Sequence, residues 1–424
     1  MLAPRAFHAD AVVTGDAGVL RDGAVVVDGA GLVVDVGPAG ELLPRHAGVA
    51  VERAHGVVLP GLVNAHTHIE LSALRGHVPG GAGFVPWVEQ MIGVRAEIAP
   101  EDDAAAIDRA VADLDAFGTA AVGEVSNSLS AVRPLARRGI VGRVFHEVFG
   151  IERASLEQRV AGLPAILADR VGDWPSADLE YAPSPHTLYT THPDVVRRLV
   201  REARERGARA SLHLAEHAAE RRFLEHGDGP IPGWYEARLR VRRDLLEWPG
   251  KSPVALADDL GALGPHVLCV HLTDARPEEL ELVARRGAPV VFCPRSNLFI
   301  ETRLPPLLSA LAAGVVPALG TDSLASNASL DVLAEAKALA DRFPSVPAAD
   351  LLRMATWEGA RALGRDDVGR ITRGARPGLV AIEADASALG DDPCAFVLRN
   401  LRLPRRWLVR RGPASPPSPS GDPS

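Results

Sequence analysis

Along most of the chain, short apolar runs alternate with longer stretches in which apolar residues recur at helical spacing. Eight short runs stand out: the one ending at His68, then 119–125, 142–148, 179–183, 208–214, 266–272, 289–293 and 315–320. The stretches between them are rich in Ala, Leu, Arg and Glu, as in Pro193-Asp194-Val195-Val196-Arg197-Arg198-Leu199-Val200. Alternating strand and helix units predict parallel strand pairing, because a parallel crossover needs a helix-length return. A count of eight predicts a closed (β/α)8 TIM barrel over residues 59–368 rather than an open sheet.

The two ends follow a different rhythm. Residues 1–58 contain β-branched runs such as Gly23-Ala24-Val25-Val26-Val27-Asp28-Gly29, and residues 369–411 contain Gly378-Leu379-Val380-Ala381-Ile382 and Arg406-Trp407-Leu408-Val409. Short runs punctuated by Gly and Asp predict hairpins, so the two ends read as halves of one small β-sandwich domain. Residues 412–424 are almost all Pro, Ser and Gly, which predicts a disordered tail.

Composition narrows the function classes. The 424 residues are 47% hydrophobic and 24% charged, which suits a soluble globular enzyme with a large core. A net charge of −8 without a basic stripe argues against a nucleic-acid polymer as partner. The Arg-rich piece from Arg238 to Asp244 reads as a solvated helix face. Cys269, Cys293 and Cys394 are too few and scattered for a disulfide framework and read as small buried hydrophobes. No apolar run reaches membrane-span length, and Asp10 interrupts the first residues before a secretory core forms. A cytoplasmic protein with a small-molecule substrate is expected, with a homodimer left open.

Candidate chemistry collects at the strand ends. His66 and His68 are two apart, so in an extended strand they project to the same side. Alone, the pair marks either a strand terminus or half of a metal site. The fourth run leads to His186, the fifth to His213 and Glu216, the sixth to His271 and the eighth to Asp322. A barrel gathers the carboxyl ends of its strands on one face. Three histidines and an aspartate there would suit zinc or iron, with room for a water. Glu216 would lie near the metal and could move protons. Singly, His213 and His271 could be structural histidines, Asp322 a helix cap and Glu216 a surface carboxylate; their joint placement at strand ends favours one site.

The motifs Pro60-Gly61-Leu62-Val63-Asn64-Ala65-His66-Thr67-His68, Leu212-His213-Leu214-Ala215-Glu216, Val270-His271 and Gly320-Thr321-Asp322-Ser323-Leu324-Ala325-Ser326-Asn327 resemble the amidohydrolase superfamily. The similarity is greatest to its cytosine deaminase and chlorohydrolase-like branch, which includes triazine hydrolases. The resemblance implies His66, His68, His213 and Asp322 as metal ligands, Glu216 as proton shuttle, and His271 with Asp322 holding the attacking water. It implies one divalent ion, Zn2+ foremost and Fe2+ also fitting, because Tyr181-Ala182-Pro183-Ser184-Pro185-His186 offers no lysine to bridge two metals.

His186 and Ser323 are expected to face substrate. Phe84 and Trp87, in a glycine-rich loop after the first barrel strand, would either cover a flat base or anchor that loop. The long connection at 229–248, with Trp234 and Tyr235, is a candidate lid. His217, directly after Glu216, departs from many relatives, and a supporting or surface role is expected. The activity implied is hydrolytic deamination of an adenine-type nucleoside such as aminodeoxyfutalosine, of menaquinone biosynthesis. Alternatives are a triazine chloro- or aminohydrolase, a guanine or cytosine deaminase, and a non-catalytic barrel paralogue.

Overall fold

The computed structural model describes residues 3–16, 18–172, 174–176, 178–241 and 248–411. Strands β1 (Arg5–Val13), β2 (Val19–Val27), β3 (Val33–Pro38) and β4 (Ala50–Pro60) come first, with helix α1 (Ala39–Arg45) between β3 and β4. The alternating region carries β5 (Leu62–His68), β6 (Thr119–Ser126), β7 (Val141–Val148), β8 (Leu179–Pro185), β9 (Ala210–Leu214), β10 (Val267–His271), β11 (Val290–Phe292), β12 (Ala318–Leu319) and β13 (Asp322–Ser323). Strands β14 (Leu379–Ile382) and β15 (Arg405–Val409) follow.

The two ends of the chain pair directly. They form one six-stranded mixed sheet in the order β15-β14-β4-β1-β2-β3, with β14 antiparallel to β4 from Leu379↔Pro60 to Ile382↔Val57. Strand alternation divides the side chains between two faces. All six strands feed one cluster that includes Phe7, Val25, Val33, Val58, Leu379 and Leu408. On the other face Ala6, Ala24 and Val26 pack with Leu42 of α1. The two ends of the chain thus share a single sheet, with a helix against part of its second face.

Strands β5 to β13 form two parallel sheets, ordered β13-β5-β6-β7-β8 and β12-β11-β10-β9. Every residue of β6 and β7 is buried, as befits parallel strands covered on both sides. Helices supply that cover: the segment Pro193–Glu205 buries Val195, Val196, Leu199, Val200 and Ala203 along one stripe.

Two elements depart from the sequence reading. The last run pairs only over β12, and β13 follows it on another strand, because Gly320 N donates to Phe292 O and Thr321 N then donates to His66 O. The chain thereby passes from the edge of β11 to the edge of β5. The glycine-rich loop after β5 contains helix α2 (Phe84–Arg95). Phe84, Trp87, Val88 and Met91 recur three and four apart and pack with Leu74, Val78 and Ile300; Gly80, Gly81 and Gly83 mask that period in the sequence. The three cysteines are free and buried. Among the described residues no helix is long and apolar enough to cross a membrane. Residues 412–424, and the Arg-rich piece beyond Val241, lie outside the described residues.

One buried carboxylate ties the ends of the chain together. Asp35 of β3 accepts hydrogen bonds from Arg373 Nη2 at 2.7 Å and His46 Nε2 at 3.0 Å. Burial alone would raise its pKa, but the His46 and Arg373 bonds outweigh burial and bring it from 3.8 down to about 2. A depressed folded-state pKa stabilises above the unfolded value and loses that stabilisation as pH falls toward the folded one. Asp35→Asn is therefore expected to cost on the order of 2 kcal/mol at neutral pH. Thermal melts should show the gap from wild type closing between about pH 4 and pH 2; a gap independent of pH would exclude this ion cluster as its source.

Candidate metal centre and active site

Strand alternation brings His66 and His68 to one side of β5, and the intervening Thr67 donates from Oγ1 to Asp322 O at 3.1 Å. That register sets the β13 carboxylate beside the histidines. Asp322 Oδ2 accepts from Ser296 Oγ at 2.5 Å and Ser326 Oγ at 2.9 Å. Its other oxygen, Oδ1, lies 3.6 Å from His68 Nε2 and 3.9 Å from His66 Nε2. Asp322 is no helix cap; it sits in β13 at φ +56, a left-handed conformation that Asp tolerates better than most residues with a side chain.

His213 arrives from β9. Its Nδ1 donates to His186 O at 3.1 Å, which leaves the Nε2 lone pair facing His68 Nε2 at 3.2 Å. Fixing one ring nitrogen so that the other can ligate is the usual arrangement of metal-binding histidines. Burial, and then the rings of His68, His213 and His271, hold the His66 pKa well below its ordinary value. His66 is neutral, as a ligand must be, and its buried Nε2 has no hydrogen-bond partner. Such an orphaned nitrogen, facing two further imidazoles and a carboxylate, fits a divalent cation. His66, His68 and Asp322 form one compact group of donor atoms, and His66, His213 and His271 form another that overlaps it.

Glu216 follows a left-handed Ala215 at φ +48, and its own N–H donates to Glu220 Oε2 at 2.9 Å. Its Oε1 is 3.6 Å from His271 Nε2. Burial first, then the carboxylates of Asp322, Glu220 and Glu301, push the Glu216 pKa well above the carboxylate range. A buried carboxyl placed beside His271 is positioned to take and return a proton. His271 is buried at φ +76 and receives a hydrogen bond from Asn297 Nδ2 at 3.2 Å.

These groups open onto a cleft of about 1160 Å³ that also exposes Phe84, Trp87, His186, Ser323, Trp234 and Glu147. All four expected substrate contacts, His186, Ser323, Phe84 and Trp87, therefore share its wall. Trp87 serves as anchor as well, donating from Nε1 to Ala325 O at 3.4 Å. Of the candidate lid residues, Trp234 lines the cleft, whereas Tyr235 is buried and donates its hydroxyl to Tyr189 O. Arg238, expected on a solvated helix face, is exposed at the cleft rim.

His217 is buried, which removes the surface alternative. Its Nδ1 accepts from Glu220 N at 3.1 Å, its Nε2 donates to Tyr189 Oη at 3.1 Å, and the Phe84 ring stacks on it at 4.1 Å. It caps the helix Ala218–His226 and props the first turn of α2 over the cleft.

Glu70, Asn127 and Glu147 are cleft residues that sequence reasoning did not single out. The only available signal was a carboxylate two residues after His68, and another near the end of β7.

Close approach explains the glycine before Thr321-Asp322. A Cβ on Gly320 would lie 2.7 Å from His66 Cβ and 2.8 Å from His66 O. Gly320→Ala is expected to cost about 1–3 kcal/mol through overpacking. By displacing His66 it should also weaken zinc binding about 10- to 100-fold. Zinc titration of the folded variant tests this, and an unaltered affinity would show that β5 yields freely.

The Amidohydrolase family pattern matches residues 57–402. The chain is 30% identical over 345 residues, 78% of its length and 79% of the relative's, to an aminodeoxyfutalosine deaminase of Deinococcus radiodurans. It is 31% identical over 344 residues, 78% of its length and 74% of the relative's, to a 5-methylthioadenosine/S-adenosylhomocysteine deaminase of Natronomonas pharaonis. Among solved structures it resembles an adenosine deaminase from Xanthomonas campestris with bound zinc, at 28% identity and a TM-score of 0.75, over 96% of this chain and 92% of that one.

Proposed function

The chain belongs to the amidohydrolase family, and from that premise we propose that it hydrolytically deaminates an adenine-type nucleoside, 6-amino-6-deoxyfutalosine foremost. The observation that carries this reading is the convergence of His66, His68, His213 and Asp322 with a buried Glu216 at one cleft. We read the two parallel sheets as one closed eight-stranded barrel over residues 59–368. Two bonds between β9 and the end of β8 support closure: His213 N to His186 O at 3.0 Å and Ser211 N to Ser184 Oγ at 3.1 Å. Residues 1–58 and 369–411 form the small β domain in this reading.

His66, His68, His213 and Asp322 would hold one divalent ion. Their nitrogen and oxygen donors suit Zn2+ and also accept Fe2+; the zinc-bound adenosine deaminase from Xanthomonas campestris favours the former. When bound, such an ion lowers the pKa of water to about 7, so that hydroxide is available at neutral pH.

The protein's own groups do the rest. Glu216 takes a proton from water, returns it to the ring nitrogen beside the amino-bearing carbon, and assists the departure of ammonia. His271 and Asp322 orient the attacking oxygen, which supplies the positional part of the rate gain. Phe84, Trp87 and Trp234 offer aromatic walls for a flat base, and Met91, Ile92, Phe149 and Ile151 extend an apolar surface toward the rim for a substituent beyond the sugar.

A second reading, deamination of 5′-methylthioadenosine or S-adenosylhomocysteine, rests on the relative from Natronomonas pharaonis. Ammonia release from 6-amino-6-deoxyfutalosine, 5′-methylthioadenosine and S-adenosylhomocysteine, compared as kcat/KM on zinc-loaded protein, separates the two. Highest efficiency on the first is expected. Release of chloride from a triazine, with no ammonia from any adenine nucleoside, would replace deamination by the chlorohydrolase alternative.

A further inference from the structure

Glu147, the penultimate residue of β7, takes no part in the chemistry above. Its side chain is only 6% exposed, yet it lines the cleft. Oε2 accepts a hydrogen bond from Asn127 Nδ2 at 2.9 Å, and the same amide nitrogen reaches Glu70 Oε1 at 3.3 Å. Glu70 is itself held by Ser126 Oγ, Asn127 N and Ser128 N at 2.9, 3.0 and 2.7 Å. This chain of bonds fixes the Glu147 carboxylate and leaves Oε1, buried, with no partner.

The two nitrogens nearest Oε1 do not satisfy it. His213 Nδ1, 3.5 Å away, already donates to His186 O. His186 Nε2 is 3.8 Å away, beyond hydrogen-bond reach. Glu147, His186 and His213 are close enough to suggest a second cation site. The hydrogen on His213 Nδ1 leaves only two ligands there, which is too few. A buried carboxylate oxygen without a donor is costly, so its place on the cleft wall calls for a donor brought by the ligand.

Which donor follows from the layout, and this step rests on the deaminase reading. Glu216, His271 and Asp322 stand at the ends of β9, β10 and β13, so the amino-bearing carbon lies there. Glu147 and His186 lie on the other side of His213, at the ends of β7 and β8. Apart from its amino group, the only hydrogen-bond donors on the adenosine core are sugar hydroxyls. We propose that Glu147 Oε1 accepts a hydrogen bond from a ribose hydroxyl and makes Glu147 the residue that selects ribonucleosides over deoxynucleosides.

The test compares adenosine, 2′-deoxyadenosine and 3′-deoxyadenosine as substrates of zinc-loaded wild type and Glu147→Gln, with zinc content measured on each sample. In the Gln variant, Asn127 orients the amide so that its NH2 group replaces the acceptor. Wild type is expected to prefer adenosine over at least one deoxy form by about tenfold or more in kcat/KM. In Glu147→Gln that ratio should fall to near one, chiefly through KM, at full zinc content.

Equal losses on all three nucleosides, or loss of zinc, would overturn the proposal and leave Glu147 as a support of His213. If the Gln variant does not fold, Glu147→Asp, which keeps the charge and withdraws it by one methylene, must show the same collapse; a preserved ratio overturns it. Wild type that releases no ammonia from any of the three, nor from 6-amino-6-deoxyfutalosine or 5′-methylthioadenosine, rejects the deaminase reading itself, and the sugar contact with it.

Discussion

Glu216→Gln is expected to keep its metal and lose turnover by about a factor of 10³, within the range that a positioned acid–base group contributes. The amide matches the carboxylate in size, so the backbone bond from Glu216 N to Glu220 Oε2 survives. What is lost is the capacity to take a proton from water and give it back to the ring. Burial and the neighbouring Asp322, Glu220 and Glu301 raise the Glu216 pKa, and a raised folded-state pKa in an acid removes stability as pH climbs above the unfolded value. The variant should therefore melt at or above the wild-type temperature at pH 8, while being almost inactive. Such an exchange of stability for function is common at active sites. The measurement is kcat by ammonia release, with metal content and Tm from the same preparation. Near-wild-type kcat would remove Glu216 from the proton path; low activity together with lost metal would instead make it a support of the ligand set.

Stripping the metal with a chelator should abolish activity and lower the Tm, and added Zn2+ should restore both. The physical basis is the cluster of buried donors with no protein partner. His66 Nε2 has no hydrogen bond, and His68 and His213 set their Nε2 atoms 3.2 Å apart, where two lone pairs repel unless a cation or proton lies between them. An ion that binds only the folded state stabilises it by about 4 kcal/mol at 1,000-fold excess over its Kd. For a chain this long that corresponds to a shift of several degrees, readily seen by calorimetry. Asp322→Ala should remove the zinc-dependent part of the Tm, since it deletes the one anionic ligand. A melting temperature indifferent to chelator and zinc, in fully active protein, would rule out the proposed centre.

How much of this was legible in the residues depends on the range of the interaction. His66 and His68 fall on one side of a strand because alternation is local, and the apolar run before them marks that strand. The eight runs, the helix stripe at Pro193–Glu205 and the pairing of the two chain ends all follow from period and β-branched content. His213, Glu216, His271 and Asp322 could be proposed as a set because strand ends in alternating α/β chains converge, a rule that needs only the order of elements. Helix α2 was hidden because glycines precede a short apolar period whose partner cluster, around Leu74 and Ile300, is distant in sequence.

Other features had no local signal at all. Nothing near Glu147 indicates that Asn127 will hold one of its oxygens and leave the other toward His186 and His213. Nothing near His217 indicates that Phe84 will stack on it or that Tyr189 will meet its Nε2. The need for glycine at position 320 likewise appears only when β5 lies against it. The sequence by itself determined which residue types stand at which strand ends, since periodicity and connection order act over a few residues. The tertiary structure alone decided which nitrogen or oxygen of each side chain is occupied and which is left for a ligand, because hydrogen bonding is settled by neighbours that the fold, not the chain, makes adjacent.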